Sequence, residues 1–312
     1  MSLLLEHLSL IFRQWLQLVI QQLPSMLQNI LLHPLTPKTV LVLLTLAIIR
    51  QTNCALTGRS MNNGESVEKW DSDREIVLLT GGSSGIGKQM MLDLTKVGIR
   101  VVILDIQKPP FSRPSGTTFY EADITSPASI AQVARKIRAA QGNPTVLINN
   151  AGIGNEGTIL EKPEAKIRQT FEVNTVSHFL MVREFLQSMI AKNHGHIITI
   201  ASMASFIGLG EMVDYCCSKA SALAFHEGLR QELRLWYKAP KIRTTVVHPL
   251  WVCTPMTKHL MNAGSEFKQP MLKPEIVMLR ALPNWSQEFA REVGSGDLLR
   301  LREWQQRQVT KQ

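Results

Sequence analysis

Glu75-Ile-Val-Leu-Leu-Thr80-Gly81-Gly82-Ser83-Ser84-Gly85-Ile86-Gly87 is a short apolar run that stops at a glycine-rich turn. An amphipathic stretch follows over 88–97, and after Gly98 a second apolar run, 100–104, ends at Asp105. Strand, glycine turn, helix and strand in that order match a dinucleotide-binding βαβ unit. Its glycines let the backbone approach a pyrophosphate while the helix N-terminus faces the phosphate charge. Asp105 lies 18 residues after Gly87, where a strand-end carboxylate can accept hydrogen bonds from adenosine ribose hydroxyls and repel a 2′-phosphate. Neither Ile106 nor the Ser83-Ser84 turn carries a cation, so NAD(H) is favoured over NADP(H), with Lys88 keeping NADP(H) open.

Beyond this unit, apolar runs end in small or polar residues at Asn149-Asn150-Ala151-Gly152, at Ala201-Ser202 and at His248-Pro249. Helical patterns lie between them near 129–140, 163–191 and 214–237. Buried-type strands alternating with helices predict an α/β fold, a Rossmann-like doubly wound parallel sheet with its site at the carboxyl ends of the strands. From Lys273 onward no convincing seventh strand is visible, so either the sheet closes with six strands or the chain is impaired.

Tyr215 and Lys219 are four residues apart on a predicted helix and share a face. A free tyrosine, with a pKa of about 10, is a poor base at neutral pH. A nearby ammonium and an oxidised nicotinamide are expected to lower that value, letting Tyr215 exchange a proton with a substrate hydroxyl or carbonyl. Ser202, at a strand end, is expected to hydrogen-bond the same oxygen.

Thr80-Gly81-x-x-x-Gly85-Ile86-Gly87, Asn149-Asn150-Ala151-Gly152, a serine 13 residues before a tyrosine, and Tyr215-x-x-Ser218-Lys219 occur in that order. This set resembles the short-chain dehydrogenase/reductase family over about residues 75–257. The resemblance implies a CH–OH oxidoreductase using NAD or NADP, with Ser202, Tyr215, Lys219 and Asn174 as its catalytic set. By the same resemblance Lys219 also holds the nicotinamide ribose, and Asn174 keeps a proton-relay water in place. The implied cofactor contacts are Gly81, Ser83, Ser84, Gly85, Ile86, Gly87, Asp105, Asp123 near the adenine, Asn150, Ala151, Gly152, Tyr215, Lys219 and Thr254. Leu250 stands where the family commonly has glycine, a departure that crowds the nicotinamide pocket or shifts the loop.

Residues 1–50 carry only Glu6, Arg13, Lys38 and Arg50 as charges. Leu4, Leu8, Ile11, Phe12, Trp15 and Val19 recur at helical spacing, as in an interfacial amphipathic helix. Pro24, Pro34 and Pro37 then precede an apolar run over 39–49, well short of the roughly 20 residues of a helical span. A hairpin or monotopic membrane anchor fits best, a single span second, and a packed helical subdomain third. A cleaved secretory signal fits poorly, because no compact apolar core with a small-residue cleavage site is present. The expected organisation is an anchor over 1–50, a polar linker over 51–73, one catalytic domain over 74–262 and an atypical C-terminal segment over 263–312.

The chain of 312 residues has 45% hydrophobic and 19% charged residues, the balance of a globular protein with a full core. Four cysteines (Cys54, Cys216, Cys217, Cys253) without a CxxC pair give neither a disulfide framework nor a metal site. The net charge of +9 is spread without a basic run, and aromatic residues are only 6%, which argues against nucleic acid and fits a basic surface near a membrane.

The expected function is therefore a membrane-associated oxidoreductase of a lipophilic secondary or retinol-like primary alcohol, at the endoplasmic reticulum or a lipid droplet, with its catalytic domain in the cytosol. Met203, Phe206, Ile207, Leu209 and Met212 are candidates to line an apolar pocket. The anchored arrangement is similar to family members acting on retinoids and 17β-hydroxysteroids, and the resemblance implies a homodimer. The alternative is a catalytically impaired scaffold on a membrane or lipid droplet.

Overall fold

The computed structural model describes residues 36–61, 71, 73–262, 267 and 269–273. The chain divides into two units, 1–64 and 65–312. In the first, helix α1 (Thr36–Met61) takes in the apolar run and continues through Arg50. Residues 51–61, expected as linker, are thus helical, with no proline in the stretch to break the backbone ladder that the apolar run begins. Leu41, Val42, Leu43 and Leu44, which step around the whole helix, are each more than half exposed. The hydroxyl of Thr45 donates back to the Leu41 carbonyl at 2.8 Å, which occupies the one polar group between 41 and 49. Among the described residues no helix is long and apolar enough to cross a membrane. The expected amphipathic helix over residues 4–19 lies outside the described residues.

The second unit is built on six parallel strands: β1 (Ile76–Thr80), β2 (Arg100–Asp105), β3 (Thr117–Glu121), β4 (Val146–Asn149), β5 (Gly195–Ile200) and β6 (Ile242–Val247). Their order in the sheet is β3-β2-β1-β4-β5-β6. Helices α2 (Gly85–Lys96), α3 (Pro127–Gln141), α4 (Glu164–Phe171), α5 (Ser177–Lys192) and α6 (Val213–Leu235) connect and cover them, and a short α7 (Lys258–Asn262) follows β6. Alternation along the strands sends Leu78, Val102, Leu147 and Ile197 to one face, against Ile137, Phe185 and Leu233. Val77, Leu79, Val101, Ile103 and Ile148 go to the other, against Met91 of α2. Both faces are covered, which is why these strands read as continuous apolar runs.

The chain reverses direction across the sheet between β1 and β4, and the crevice above that switch point is where this architecture places a ligand. Strand β3, absent from the sequence reading, pairs with β2 at the edge. Its half-exposed Thr-Thr-Phe-Tyr-Glu carries too few apolar residues to stand out. Six strands are what the described residues contain. Past β6 the only further pairing among them is a parallel bridge between Val252 and Leu272.

Candidate active site

The glycine turn is stapled to the end of β4. The Thr80 hydroxyl accepts from the backbone N–H groups of Asn150 (3.0 Å) and Ala151 (3.1 Å) and donates to the Ile148 carbonyl. The Asn150 amide donates to the carbonyls of Thr80 and Gly81 at 2.9 and 3.0 Å. Gly81 has φ +68°, and a Cβ at Gly87 would sit 2.1 Å from the Gly81 carbonyl oxygen. Only glycine permits this close return of the helix onto the turn.

Asp105 closes the other side. One carboxylate oxygen accepts from the Ser83 N–H at 3.0 Å, the other from the Gln107 N–H at 3.1 Å. Asp123 folds onto its own turn, accepting from the N–H and hydroxyl of Thr125. Thr254 caps the turn before α7, and its Cγ2 would meet a Cβ placed on Gly85 at 3.3 Å, so the segment after β6 reaches the glycine turn.

Gly81, Ser84, Gly85, Ile86 and Gly87 line one cavity of about 600 Å³ together with Asp105, Asp123, Asn150, Ala151, Gly152 and Thr254. Ser202, Tyr215 and Lys219 line it too. A glycine cradle at a helix N-terminus, with a carboxylate at the next strand end, fits a nicotinamide dinucleotide.

Tyr215 and Lys219 sit in the first turns of α6. The Tyr215 hydroxyl shares a hydrogen bond with Ser202, whose Oγ also accepts from the Ala204 N–H at 3.1 Å. Burial pushes the Tyr215 phenol up to about 12, outweighing that hydrogen bond. The anticipated lowering is thus reversed in the protein alone. Lys219 is itself buried, which pushes its ammonium down to about 8. It donates to the Ile200 carbonyl at 2.9 Å and stands 5.8 Å from the Tyr215 ring centroid. The set can pass a proton between a phenol and an oxygen placed beside Ser202.

Two expected site residues stand behind the cavity wall rather than in it. Ser83 is buried and spends its hydroxyl on the Gln107 carbonyl at 2.6 Å. Asn174 lies on a π turn, Glu172–Val176, between α4 and α5. Its amide accepts from the Ile153 N–H and donates to the Ile153 carbonyl, both at 2.8 Å, and also donates to Ser218 Oγ at 3.0 Å. Its side chain therefore braces the wall. Leu250 does line the cavity, as do Met203, Ile207, Leu209 and Met212. Phe206 turns away and packs on the His248 ring, 4.6 Å between centroids.

Sequence reasoning missed a second network. Lys162 and Asp214, both buried, form an ion pair at 2.5 Å, and the free carboxylate oxygen of Asp214 accepts from the Thr170 hydroxyl. Lys162 also donates to the Asn155 carbonyl at 2.6 Å. This ties the loop after β4 to the residue preceding Tyr215. A pair separated by 52 positions has no local sequence signal.

Comparison with known proteins agrees with this architecture. The short chain dehydrogenase family pattern matches residues 75–264. Dehydrogenase RED2 of Cochliobolus heterostrophus is 44% identical over 194 residues, covering 62% of this chain and 73% of the relative. Estradiol 17-beta-dehydrogenase 11 of Macaca fascicularis is 33% identical over 216 residues, covering 67% and 70%. The ligand-free aldohexose dehydrogenase of Thermoplasma acidophilum shares the fold, with a TM-score of 0.58 at 24% identity over 65% of this chain and 84% of its own. The chain belongs to the short-chain dehydrogenase family, oxidoreductases that act on CH–OH groups with NAD or NADP.

Proposed function

We propose that the protein is a membrane-associated oxidoreductase that interconverts a lipophilic alcohol, secondary or retinol-like primary, and its carbonyl, using NAD(H) in preference to NADP(H). One observation carries the reading: Tyr215, hydrogen-bonded to Ser202, opens onto the same cavity as Lys219 and the glycine cradle. When bound, the nicotinamide supplies or receives the hydride. The residues to hold it are Gly81, Ser84, Gly85, Ile86 and Gly87 at the pyrophosphate, Asp105 and Asp123 on the adenosine side, and Lys219 and Thr254 near the nicotinamide. Asp105 supports the NAD(H) preference, since its two oxygens are oriented by backbone N–H groups and, among the described residues, no cation is hydrogen-bonded to it.

Tyr215 moves the proton. A phenol pushed up to about 12 stays neutral across the physiological range, the state that carbonyl reduction needs in a proton donor. Ser202 holds the substrate oxygen in line and stabilises charge developing on it. Met203, Leu209 and Met212 give the wall an apolar character suited to a lipophilic substrate. The exposed leucines of α1 support attachment to a membrane or lipid-droplet surface. The 17β-dehydrogenase relative supports the substrate class. A homodimer through the helices that carry Asn174 and Tyr215 belongs to the same reading, and sedimentation as a monomer would remove it.

The test is turnover of a lipophilic secondary alcohol with NAD by the full-length, detergent-solubilised protein. Tyr215→Phe is expected to lose about 10²- to 10⁴-fold in rate. A variant as active as the wild type would overturn the assignment. A non-catalytic scaffold on a membrane or lipid droplet is the second reading. It predicts cofactor binding without turnover of any alcohol.

A further inference from the structure

The substrate side of the cavity carries polar groups that the proton-transfer set leaves unused. Two wall segments meet beside the Tyr215 ring. A Cβ on Gly154 would come 3.2 Å from Cδ2 of that ring and 3.8 Å from the Met256 sulfur. Asn155 and Glu156 follow Gly154, and His259 lies three residues beyond Met256. All three line the cavity, and His259 Nε2 rests against Glu156 Oε1.

One of these groups is orphaned. Asn155 Nδ2 is buried and makes no hydrogen bond among the described residues, whereas His259 Nε2 is engaged by Glu156 Oε1. Buried polar atoms in native proteins are almost always paired, and an exception in a cavity wall points to a partner that arrives with the ligand. The backbone that carries Asn155 is held on both sides. Lys162 Nζ pins the Asn155 carbonyl at 2.6 Å and is itself locked to Asp214, and the Gly157 N–H donates to the Glu211 carbonyl at 3.0 Å.

We propose that Asn155, Glu156 and His259 form a subsite for a second oxygen of the substrate. The preferred substrates are then lipophilic alcohols or ketones that carry a further hydroxyl or carbonyl group, such as diols and hydroxyketones. Glu156 accepts from a hydroxyl, and the Asn155 amide and the His259 ring donate to a hydroxyl or carbonyl oxygen. The apolar body of the substrate lies along Leu209 and Met212. The proposal rests on the reading that the first oxygen sits at Ser202 and Tyr215.

The test uses full-length, detergent-solubilised protein loaded with NADH, a state that cannot oxidise an alcohol, so that binding is read apart from chemistry by NADH fluorescence. The probes are 2-alkanols of six to ten carbons and the alkanediols of equal length with the second hydroxyl three to eight carbons from the first. At one spacing the diol is expected to bind about 10- to 100-fold more tightly than the matched alkanol. Asn155→Ala and His259→Phe are each expected to move that ratio toward one, with NADH titration of each variant reporting that it has folded. Where either variant fails to bind NADH, Asn155→Asp and His259→Gln take its place, with the same expected fall in the ratio.

Equal binding at every spacing, no saturable binding by either series, or a ratio unchanged in the variants would overturn the subsite. Turnover with NAD separates this from failure of the proton-transfer reading. A diol preference in binding with no turnover of any alcohol keeps the subsite and removes the chemistry. Equal turnover of alkanol and diol, with equal binding, keeps the chemistry and removes the subsite.

Discussion

His178 carries a fully buried imidazole on α5 with neither ring nitrogen hydrogen-bonded among the described residues. Burial, helped by the Lys219 charge, pushes its pKa down to about 3. The folded protein keeps the ring neutral while the unfolded chain takes up a proton below about 6.5, so stability drains away as pH falls from about 6.5 toward 3. By pH 5 the cost is about 2 kcal/mol. His178→Phe removes it, so urea unfolding of variant and wild type should diverge by that amount between pH 7.5 and pH 5. Parallel loss in both proteins would mean that the ring titrates normally. Gly87→Ala acts at the cradle, where the new methyl would meet the Gly81 carbonyl and the Asn150 amide. Saturable NADH binding should disappear, at a cost of about 1–3 kcal/mol in stability. Asp105→Ala should weaken NADH about tenfold while affecting NADPH less, which parallel fluorescence titrations would detect as a narrowed ratio.

The elements gain their precision from contacts that cross them. Lys162 precedes α4 and Asp214 sits in the first turn of α6, and their ion pair is buried with its hydrogen bonds filled. Removing one partner strands a charge, so Lys162→Met should cost about 3–5 kcal/mol, whereas Lys162→Met with Asp214→Leu should recover most of it. Chemical denaturation of the two variants checks this, and equal destabilisation would show that the pair is not the source. The glycine turn and the Ser202, Tyr215 and Lys219 set were legible in the sequence because their spacing is local or tied to strand ends. Asn174 was legible as a helix residue, but the π turn that aims its amide at Ile153 and Ser218 was not, since one extra residue in a helical turn leaves no periodic trace. Strand β3 escaped for a related reason. Its pairing with β2 decides its state, and its own side chains are half-exposed.

At the scale of the molecule, one unit carries the α/β sheet and the other a helix whose aliphatic residues between Leu41 and Ile49 are exposed. Deleting residues 1–64 should move the protein from the membrane pellet to the supernatant in cell fractionation while leaving saturable NADH binding. A truncated chain that still pellets with membranes would shift the attachment to the second unit. The sequence alone determined the layered parallel sheet, because strands buried on both faces must read as apolar runs and the cofactor turn must read as glycines. It also determined which serine, tyrosine and lysine converge, since a strand end and one helix face bring them together. Only the tertiary structure decided that burial raises the Tyr215 phenol, that Ser83 and Asn174 stand behind the wall, and that Asn155, Glu156 and His259 line the same cavity as Tyr215. Desolvation and side-chain orientation are properties of the packed interior, set by neighbours far away in the chain, and no window of sequence contains them.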